Sequence, residues 1–338
     1  MIFQSACLPA FSKKGIALFA VLIVAFPLFF HPALAQANNL QDSLAKDHFF
    51  QVIRSGDAFE LNKLLENGAD PNVVSGICSA LMAAALYGST EQMKILIEHG
   101  ANVNYVNEDS ITALWFAIPN WDKTLLLMNH GADPRIHSKE GYTVLVKLAL
   151  MPGTVRIFHL LMDQGADLKG AAPDNFLLYN AAGAGDTAVM RLLMQNGFRA
   201  NDTVFYGDYP INNALNYRCF EAVKMLVDNG ANVNVHPSFG LESIRGFTPL
   251  MYAALSNERK SFFYLLDHGA DPNIKSKKGF TALMLLQQAE TDQPDMTLAL
   301  IQHGAIPYEK AADGTDALYY AQKKGNTESV AILKKYAN

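Results

Sequence analysis

Cysteine, charge and basic runs are all scarce in this chain of 338 residues. Three cysteines are too few for a small fold that is built on disulfides. Only 17% of the residues are charged, and 27 basic residues face 32 acidic ones without a Lys- or Arg-rich run, which argues against a nucleic-acid groove. Hydrophobic residues make up 50% of the chain, which excludes a disordered protein and provides for a large core.

Long apolar runs are confined to the N-terminus. Two lysines precede an uncharged apolar run at 16–30, and the small residues Ala33 and Ala35 follow it. This order predicts a secretory signal peptide over 1–35 that is cleaved before Gln36. The alternative is an uncleaved anchor, but the run has 15 residues where about 20 are needed to span a bilayer. We therefore expect an exported chain that has no membrane association after cleavage.

One phrase recurs eight times in the remainder: two apolar residues, two polar residues, a glycine, a small residue and usually Asp or Asn. It reads LLENGADPN at 64–72 and LLDHGADPN at 265–273. Its glycines stand at 68, 100, 131, 165, 197, 230, 269 and 304, at spacings of 31 to 39 residues. A second phrase, such as TPLMYAALSN at 248–257, keeps phase with the first. Repetition at this period predicts a stack of two-helix modules that bury their apolar stripes against one another.

Capping residues delimit the two helices of each module. Thr or Ser opens the first helix, where its oxygen can accept from free backbone N–H groups. The glycine suits the left-handed residue after the second helix, and the Asp-Pro or Asn-x-Asn beyond it starts a turn. His99, His130, His268 and His303 precede that glycine, where imidazole can cap carbonyls. We expect no metal site from them, because equivalent residues of stacked modules lie about 10 Å apart.

These phrases resemble those of the ankyrin repeat family, most closely in TPL at 248–250 and GADPN at 269–273. The resemblance implies an all-α solenoid of about nine helix-turn-helix units with β-hairpin-like fingers over 44–338, preceded by a short linker at 36–43. The predicted repeats lie near 44–75, 76–107, 108–139, 140–172, 173–205, 206–244, 245–277, 278–312 and 313–338. Since the family is a binding scaffold with many partners, the resemblance says more about fold than about function.

Two places depart from the repeat pattern. Repeat four carries Leu148, Met151 and the pair Pro152-Gly153 where small residues and a tight turn are usual. About six extra residues around 236–240 lengthen the finger between repeats six and seven. Such an insertion either marks a binding side or is a tolerated surface loop, and the sequence leaves both interpretations open.

Signatures of catalysis and of cofactor binding are nearly absent. The segment 183–188 spells G-x-G-x-x-A, but it lies between two predicted helices rather than after a strand, so we interpret it as a turn. Cys78 and Cys219 lie four repeats apart, beyond the reach of a disulfide, and we expect no bridge between them. We predict a protein without a cofactor, a metal site or catalytic activity.

The family resemblance implies that the finger tips and the exposed side of the first helices form one concave binding surface. On this chain it assigns partner contacts to Tyr87, Glu108, Asp109, Trp115, Tyr142, Phe205, Tyr206, Asp208, Tyr217, Arg245 and Phe247. Aromatic side chains and Arg often anchor protein interfaces, and Phe205, Tyr206 and Tyr217 form the densest group. Tyr142 and Phe247 occupy a slot in which rings pack between fingers, which is the alternative role.

The sequence favours a non-catalytic, monomeric scaffold in the periplasm of a bacterium that binds another protein, either to organise an enzyme or to neutralise a toxin. Export predicts the compartment, with secretion from the cell as the alternative. A secreted effector that acts on a host protein stays open, as does an enzyme sited in repeat four or in the 235–247 finger. His137, His159 and Asp163 are the nearest group for catalysis, but His159 and Asp163 have the spacing of helical neighbours.

Overall fold

The structure, a computed structural model, describes residues 40–171, 176–204, 207–237 and 246–336, with side chains from Leu44 onward. The predicted signal peptide, Phe205, Tyr206 and Arg245 lie outside these ranges, as does most of the lengthened finger. Within the described ranges, every helix is too short or too polar to cross a bilayer.

Nine consecutive helix pairs, eighteen helices in all, occupy the described residues. The first helices of the pairs are α1 (Leu40–Ser55), α3 (Ala80–Leu86), α5 (Ala113–Ala117), α7 (Val144–Ala149), α9 (Phe176–Ala184), α11 (Pro210–Asn216), α13 (Pro249–Leu255), α15 (Ala282–Leu286) and α17 (Ala317–Lys324). The second helices are α2 (Ala58–Glu66), α4 (Thr90–Glu98), α6 (Trp121–Asn129), α8 (Val155–Asp163), α10 (Thr187–Gln195), α12 (Phe220–Asp228), α14 (Arg259–Asp267), α16 (Pro294–Gln302) and α18 (Thr327–Lys335). The predicted all-α class is confirmed, although α1 already begins within the predicted linker at 36–43.

The helix pairs fall into two compact units. The N-terminal unit comprises the described chain up to Val144 together with His159–Ala166, and the C-terminal unit comprises Leu145–Phe158 together with the chain from Asp167 onward. In the N-terminal unit α3 packs on α5 and α2 packs on α4. In the C-terminal unit α9 packs on α11 and α13 packs on α15. First helices therefore contact first helices of the next repeat, and second helices contact second helices, as a stack of like modules requires.

Capping residues fix the helix ends where the sequence predicts them. Ser79 and Thr248 each accept a hydrogen bond at 3.3 Å from the backbone N–H three residues later. At the other end, Gly100 adopts a left-handed φ of 90° after α4. Its neighbour Ala101 then donates to the carbonyl of Leu96 at 2.9 Å, which satisfies one of the free carbonyls of the last turn.

The residue before the exit glycine caps carbonyls in three of the four predicted histidine positions, whereas His99 Nε2 lies 3.2 Å from Asn62 Oδ1. The Nδ1 atoms of His130, His268 and His303 lie 2.8, 2.7 and 2.9 Å from the carbonyl oxygen four residues earlier. Asn196 and Asn229 fill the same place and donate through Nδ2 at 2.8 Å each. A shared capping role explains why His and Asn alternate at this position.

The fingers that lie within the described ranges lead into the first helices through tight turns. Val74–Ser75 and Cys78–Ser79 pair as the one antiparallel ladder within the described residues. In other fingers a backbone N–H to C=O bond spans the turn, from Asn107 to Ile111 (3.1 Å), Ser138 to Tyr142 (2.8 Å), Val204 to Asp208 (3.1 Å), Ser276 to Phe280 (2.9 Å) and Ala311 to Thr315 (2.8 Å). The carbonyl of the first residue also accepts from the residue three positions later, as in the 2.9 Å bond from Ser110 to Asn107. The hairpin-like finger is therefore mostly a turn rather than a pair of strands.

Asparagine side chains bridge neighbouring repeats beside the exit glycines. Asn72 Nδ2 donates to the carbonyl of Gly100 at 3.1 Å, and its Oδ1 accepts from the N–H of Asn102 at 2.7 Å. Equivalent bridges start at Asn104, Asn201, Asn234 and Asn273. Arg135 and Lys169 replace this asparagine in repeats three and four. The local pattern predicts the turn but not the bridge, whose partner lies 28 residues further along in the first case.

In repeats two to eight the first helices are buried more completely than the second, whereas α1 and α17 of the terminal repeats keep an exposed side. Residues 80–85 of α3 are each at most 4% exposed. In α4, by contrast, Met93 and Leu96 are fully buried while Lys94 on the opposite side is exposed. Polar or aromatic side chains on first helices are thus exceptions to a nearly continuous apolar layer, and these exceptions define the candidate site.

Candidate functional site

Five of the predicted contact residues lie in the N-terminal unit. Tyr87, directly after α3, is 59% exposed, and Glu108 is exposed on its finger. Asp109, Trp115 and Tyr142 are half-buried. The carbonyl of Asp109 also accepts a hydrogen bond at 3.0 Å from the backbone of the next finger. Tyr87 and Glu108 are therefore accessible, whereas the other three are partly covered.

Three predicted contact residues can be placed in the C-terminal unit. Asp208 and Tyr217 are half-buried. Phe247 is only 3% exposed, and its ring meets that of Tyr252 edge to face with centroids 5.8 Å apart. Its assignment to the contact surface is corrected: Phe247 has the packing role that the sequence left open. Phe205, Tyr206 and Arg245 are not among the described residues.

Side chains from repeats five and six converge on the carboxylate of Asp208. The hydroxyl of Tyr179 on α9 donates to Oδ2 at 3.0 Å, and Nδ2 of Asn212 on α11 donates to Oδ1 at 2.8 Å. The backbone N–H of Tyr209 also donates to Oδ1, at 2.9 Å. Burial and then the charge of Asp208 raise the pKa of Tyr252 on α13. We call Tyr179, Asp208 and Asn212 the Asp208 cluster, which joins repeats five and six.

The hydrogen-bond donors around the Asp208 carboxylate are all neutral groups. Burial raises the pKa of its carboxyl, while the hydrogen bonds from Asn212, Tyr209 and Tyr179 act in the opposite direction. None of the ion pairs between described side chains includes Asp208.

The raised pKa has a consequence for stability. The stabilising contribution of Asp208 is fully present below its ordinary pKa of 3.8 and is lost as the pH rises through that value towards the folded-state pKa. At neutral pH the ionised carboxylate therefore disfavours folding. A charge that is kept against stability is typical of a functional site.

The amide of Asn212 is incompletely satisfied beside this charge. The residue is 1% exposed, and its Oδ1 has no hydrogen-bond partner among the described residues. A flipped amide would turn an oxygen towards the carboxylate, so the bond to Asp208 fixes its orientation. Because buried amide oxygens normally have a donor, this oxygen is an unsatisfied polar atom in the interior beside the charge.

A row of unusual residues runs along the first helices of the C-terminal unit. Lys147, Tyr179, Asn213 and Tyr252 are each the fourth residue of their helix. Burial lowers the pKa of Lys147 to about 8. Asn213 Nδ2 donates to the carbonyl of Tyr179 at 2.8 Å, which ties α11 to α9. Sequence reasoning missed Lys147, Tyr179 and Tyr252, although aligning the first-helix phrases residue by residue would have placed them in one row.

Gly183 permits the close contact of α9 with α11 behind this row. A Cβ atom at this position would lie 2.4 Å from Asn213 Nδ2 and 3.2 Å from Tyr217 Cδ2. The side chain of Asn213 is held in place by its bond to the backbone of Tyr179. The position of the Tyr217 ring therefore depends on residue 183 being a glycine, which has no side chain.

We expect Gly183→Ala to lower the free energy of unfolding by about 1–2 kcal/mol, because overpacking outweighs the better helix propensity of alanine. Urea unfolding followed by circular dichroism measures the change. In an Asn213→Ala background the same substitution should cost little, since the closest atom has been removed. Equal losses in both backgrounds would contradict the proposed collision.

The G-x-G-x-x-A segment is a helix junction, as interpreted from the sequence. Asp186 caps α10 through Oδ1, which accepts from the N–H groups of Ala188 and Val189 at 3.1 Å each. Its Oδ2 reaches back to repeat four and accepts from Gly153 at 2.8 Å and Thr154 at 3.3 Å. Asp186 therefore holds the irregular Pro-Gly turn of repeat four in place. This structural role explains the residue without invoking a bound nucleotide.

Other candidate chemistry finds little support in the described ranges. Cys78 and Cys219 are thiols rather than a disulfide; Cys219 is buried, and burial raises the pKa of Cys78, which disfavours a reactive thiolate. His137, His159 and Asp163 are at least partly exposed to solvent. No group of three or more His, Cys, Asp or Glu side chains able to hold a metal ion occurs among the residues that the structure describes.

Paired helices, hairpin-like turns and inter-repeat asparagine bridges define an all-α repeat protein. The sequence profile of three consecutive ankyrin repeats matches residues 49–134, 149–237, 178–276 and 250–338. The chain belongs to the ankyrin repeat family. Members of this family are generally protein–protein interaction modules and are typically non-catalytic.

Relatives share the repeats rather than a whole protein. The chain is 31% identical over 170 residues to ankyrin repeat protein FPV014 of fowlpox virus, covering 49% of this chain and 39% of that one. It is 29% identical over 212 residues to human ankyrin repeat and SOCS box protein 6, covering 53% and 49%. It is 30% identical over 152 residues to human SH3 and multiple ankyrin repeat domains protein 1, covering 41% and 7%. The chain thus spans half or less of each of these relatives.

Proposed function

We propose that the chain is an exported, non-catalytic scaffold that binds a partner protein through the fingers and first helices of repeats five to seven. The observation that carries this proposal is the Asp208 cluster, which places a half-buried charge and the phenol of Tyr179 where the layer is otherwise apolar. Tyrosine is a frequent anchor of protein interfaces because its ring buries a large area and its hydroxyl stays polar.

The leader residues support export to the periplasm, with secretion from the cell as the alternative. A short apolar run after two lysines and a small-x-small site before Gln36 are typical of a cleaved signal peptide. In that compartment the scaffold would either organise an enzyme or neutralise an incoming toxin. N-terminal sequencing of the protein purified from a periplasmic fraction tests this, and we expect it to begin at Gln36. An uncut chain in the membrane fraction would contradict it.

The contact surface is tested by capture of a partner from periplasmic extract. Proteins retained by the wild type are identified, purified and bound again to the isolated chain. We expect Tyr206→Ala/Tyr217→Ala to lose that binding at least tenfold. Tyr308→Ala is the matched control, because Tyr308 is 64% exposed and lies outside repeats five to seven. Binding that survives the double substitution unchanged would reject this placement of the surface.

A further inference from the structure

Repeat five leaves its second helix differently from the other repeats. Alanine follows the exit glycine at 69, 101, 132, 166, 231, 270 and 305, and Asp or Asn comes next in six of those seven places. In repeat five these two positions hold Phe198 and Arg199. The usual Asp accepts from the backbone two residues later, as Asp70 does from Asn72 at 2.8 Å. Here Asp202 accepts from the N–H of Arg199 at 2.9 Å instead, so the turn keeps its hydrogen bond while a cation replaces the acidic or amide side chain.

Two adjoining depressions lie where this segment meets the second helix of repeat six. The first has a volume of about 330 Å³ and is lined by Arg191 and Met194 of α10 and by Met225 of α12. The second has a volume of about 350 Å³ and is lined by Met194, Phe198 and Arg199. Because Met194 lines both, we call the two depressions together the Met194 groove. Methionine side chains are flexible and adapt to apolar side chains of varied shape, so this lining suits an apolar anchor.

Hydrogen bonds within and between repeats five and six hold the walls of the Met194 groove. Asn229 lines both depressions and donates through Nδ2 to the carbonyl of Met225 at 2.8 Å. Asn201 lines the second depression; it donates to the carbonyl of Gly230 at 2.8 Å and accepts from the N–H of Asn232 at 2.8 Å. The groove is therefore preformed, which lowers the entropic cost of binding a ligand.

The rim of the groove is positively charged. Arg191 and Arg199 are exposed, and none of the ion pairs between described side chains includes either of them. The acidic residues that stand beside the lining residues in the sequence already accept hydrogen bonds, Asp202 from a backbone N–H and Asp228 from the hydroxyl of Tyr264. A guanidinium group donates two parallel hydrogen bonds to a carboxylate and keeps its charge at any physiological pH. The groove therefore combines an apolar centre with two cations that suit carboxylates.

We propose that the Met194 groove binds an acidic segment of a partner protein, in which Asp or Glu residues flank one large apolar side chain. The carboxylates pair with Arg191 and Arg199, and the apolar side chain packs against Met194 and Met225. The groove is built on second helices and the loop that follows one of them, so it is a second surface besides the fingers and first helices of the proposed function and does not depend on them. Because both arginines are exposed, added salt weakens this binding.

The test titrates the full mature chain, isotope-labelled in its methionine methyl groups, with the peptide acetyl-Glu-Glu-Leu-Glu-Glu-amide. We expect saturable NMR shifts of the Met194 and Met225 methyl signals. Binding should weaken at least tenfold when glutamine replaces every glutamate of the peptide, and also when serine replaces its leucine. Equal binding of either altered peptide, or the absence of shifts at millimolar peptide, would overturn the proposal.

A charge-matched pair of variants locates the binding on the chain. Arg191→Gln/Arg199→Gln should bind the peptide at least tenfold more weakly. It should unfold at the same urea concentration as the wild type, because exposed side chains without ion pairs contribute little to stability. Lys46→Gln/Arg54→Gln removes the same charge from exposed positions of α1 and should leave binding unchanged. Equal binding by the two double variants would reject the groove as the site.

Sedimentation of the same proteins tests a second copy of the chain as the occupant. We expect the wild type and Arg191→Gln/Arg199→Gln to sediment alike, because the groove receives a segment of another protein. A self-associated wild type that this double substitution converts to a monomer would assign the groove to a second copy and would overturn the acidic partner segment.

Discussion

Replacing Asp186 by alanine should lower the free energy of unfolding by about 3 kcal/mol, the largest effect that we expect from a single polar side chain here. Its carboxylate accepts from four backbone N–H groups, two on its own helix α10 and two in the Pro-Gly turn of repeat four. Loss of a helix cap costs about 1–2 kcal/mol. Thr154, which is 2% exposed, would also keep a buried N–H without its acceptor, at a further cost of about 1–3 kcal/mol.

Asp57→Ala is the matched control for this measurement. Asp57 caps the second helix of repeat one and occupies the same place in the pattern, but its side chain accepts from one backbone group, Glu60 N–H at 2.9 Å. We expect Asp57→Ala to lower the free energy of unfolding by about 1 kcal/mol. Urea unfolding of both variants separates the inter-repeat part of the Asp186 effect from ordinary capping. If the two substitutions cost the same, the bonds to Gly153 and Thr154 contribute nothing to stability.

Asp186 also marks the limit of sequence-based prediction for the fold. The helix pairs, caps and exit glycines follow from local hydrogen bonding, so a repeating phrase is enough to predict them. The bond from Gly153 to Asp186 joins residues 33 positions apart, and no periodic feature of the sequence predicts it. The asparagine bridges are non-local in the same way, although their periodicity makes them recognisable once a single bridge is known.

The candidate site could be predicted only in part, for a related reason. Asp208 and Tyr217 stand out in the sequence because they are polar or aromatic near a finger. Tyr179 looks like a core residue of an apolar helix, and its role becomes recognisable only when its hydroxyl donates to Asp208 of the next repeat. Phe247 is also an aromatic residue near a finger, as Tyr217 is, yet it is buried against Tyr252. Whether a ring packs or faces outward depends on neighbours such as Gly183 that lie in another repeat.

Gly279→Ala should lower the free energy of unfolding by about 3 kcal/mol through the contact between the last two fingers. Gly279 has a φ of +79°, and a Cβ there would lie 2.8 Å from the backbone nitrogen of Ala312 and 3.1 Å from the Cα of Ala311. Left-handed backbone costs an alanine about 1–2 kcal/mol. Moving the next finger adds about 1–3 kcal/mol and disturbs the bond from Ala312 N–H to the carbonyl of Lys278, which measures 3.0 Å.

Gly314→Ala isolates the backbone strain from the collision. Gly314 closes the corresponding turn of repeat nine at a φ of +80°, and a Cβ atom there would meet no described atom within 4 Å. We expect a loss of about 1–2 kcal/mol there. Because repeats contact mainly their neighbours, Gly279→Ala should also speed hydrogen exchange of the Ala312 amide far more than that of amides in repeat five. Equal losses of stability for the two glycines would mean that the finger of repeat nine moves aside without cost.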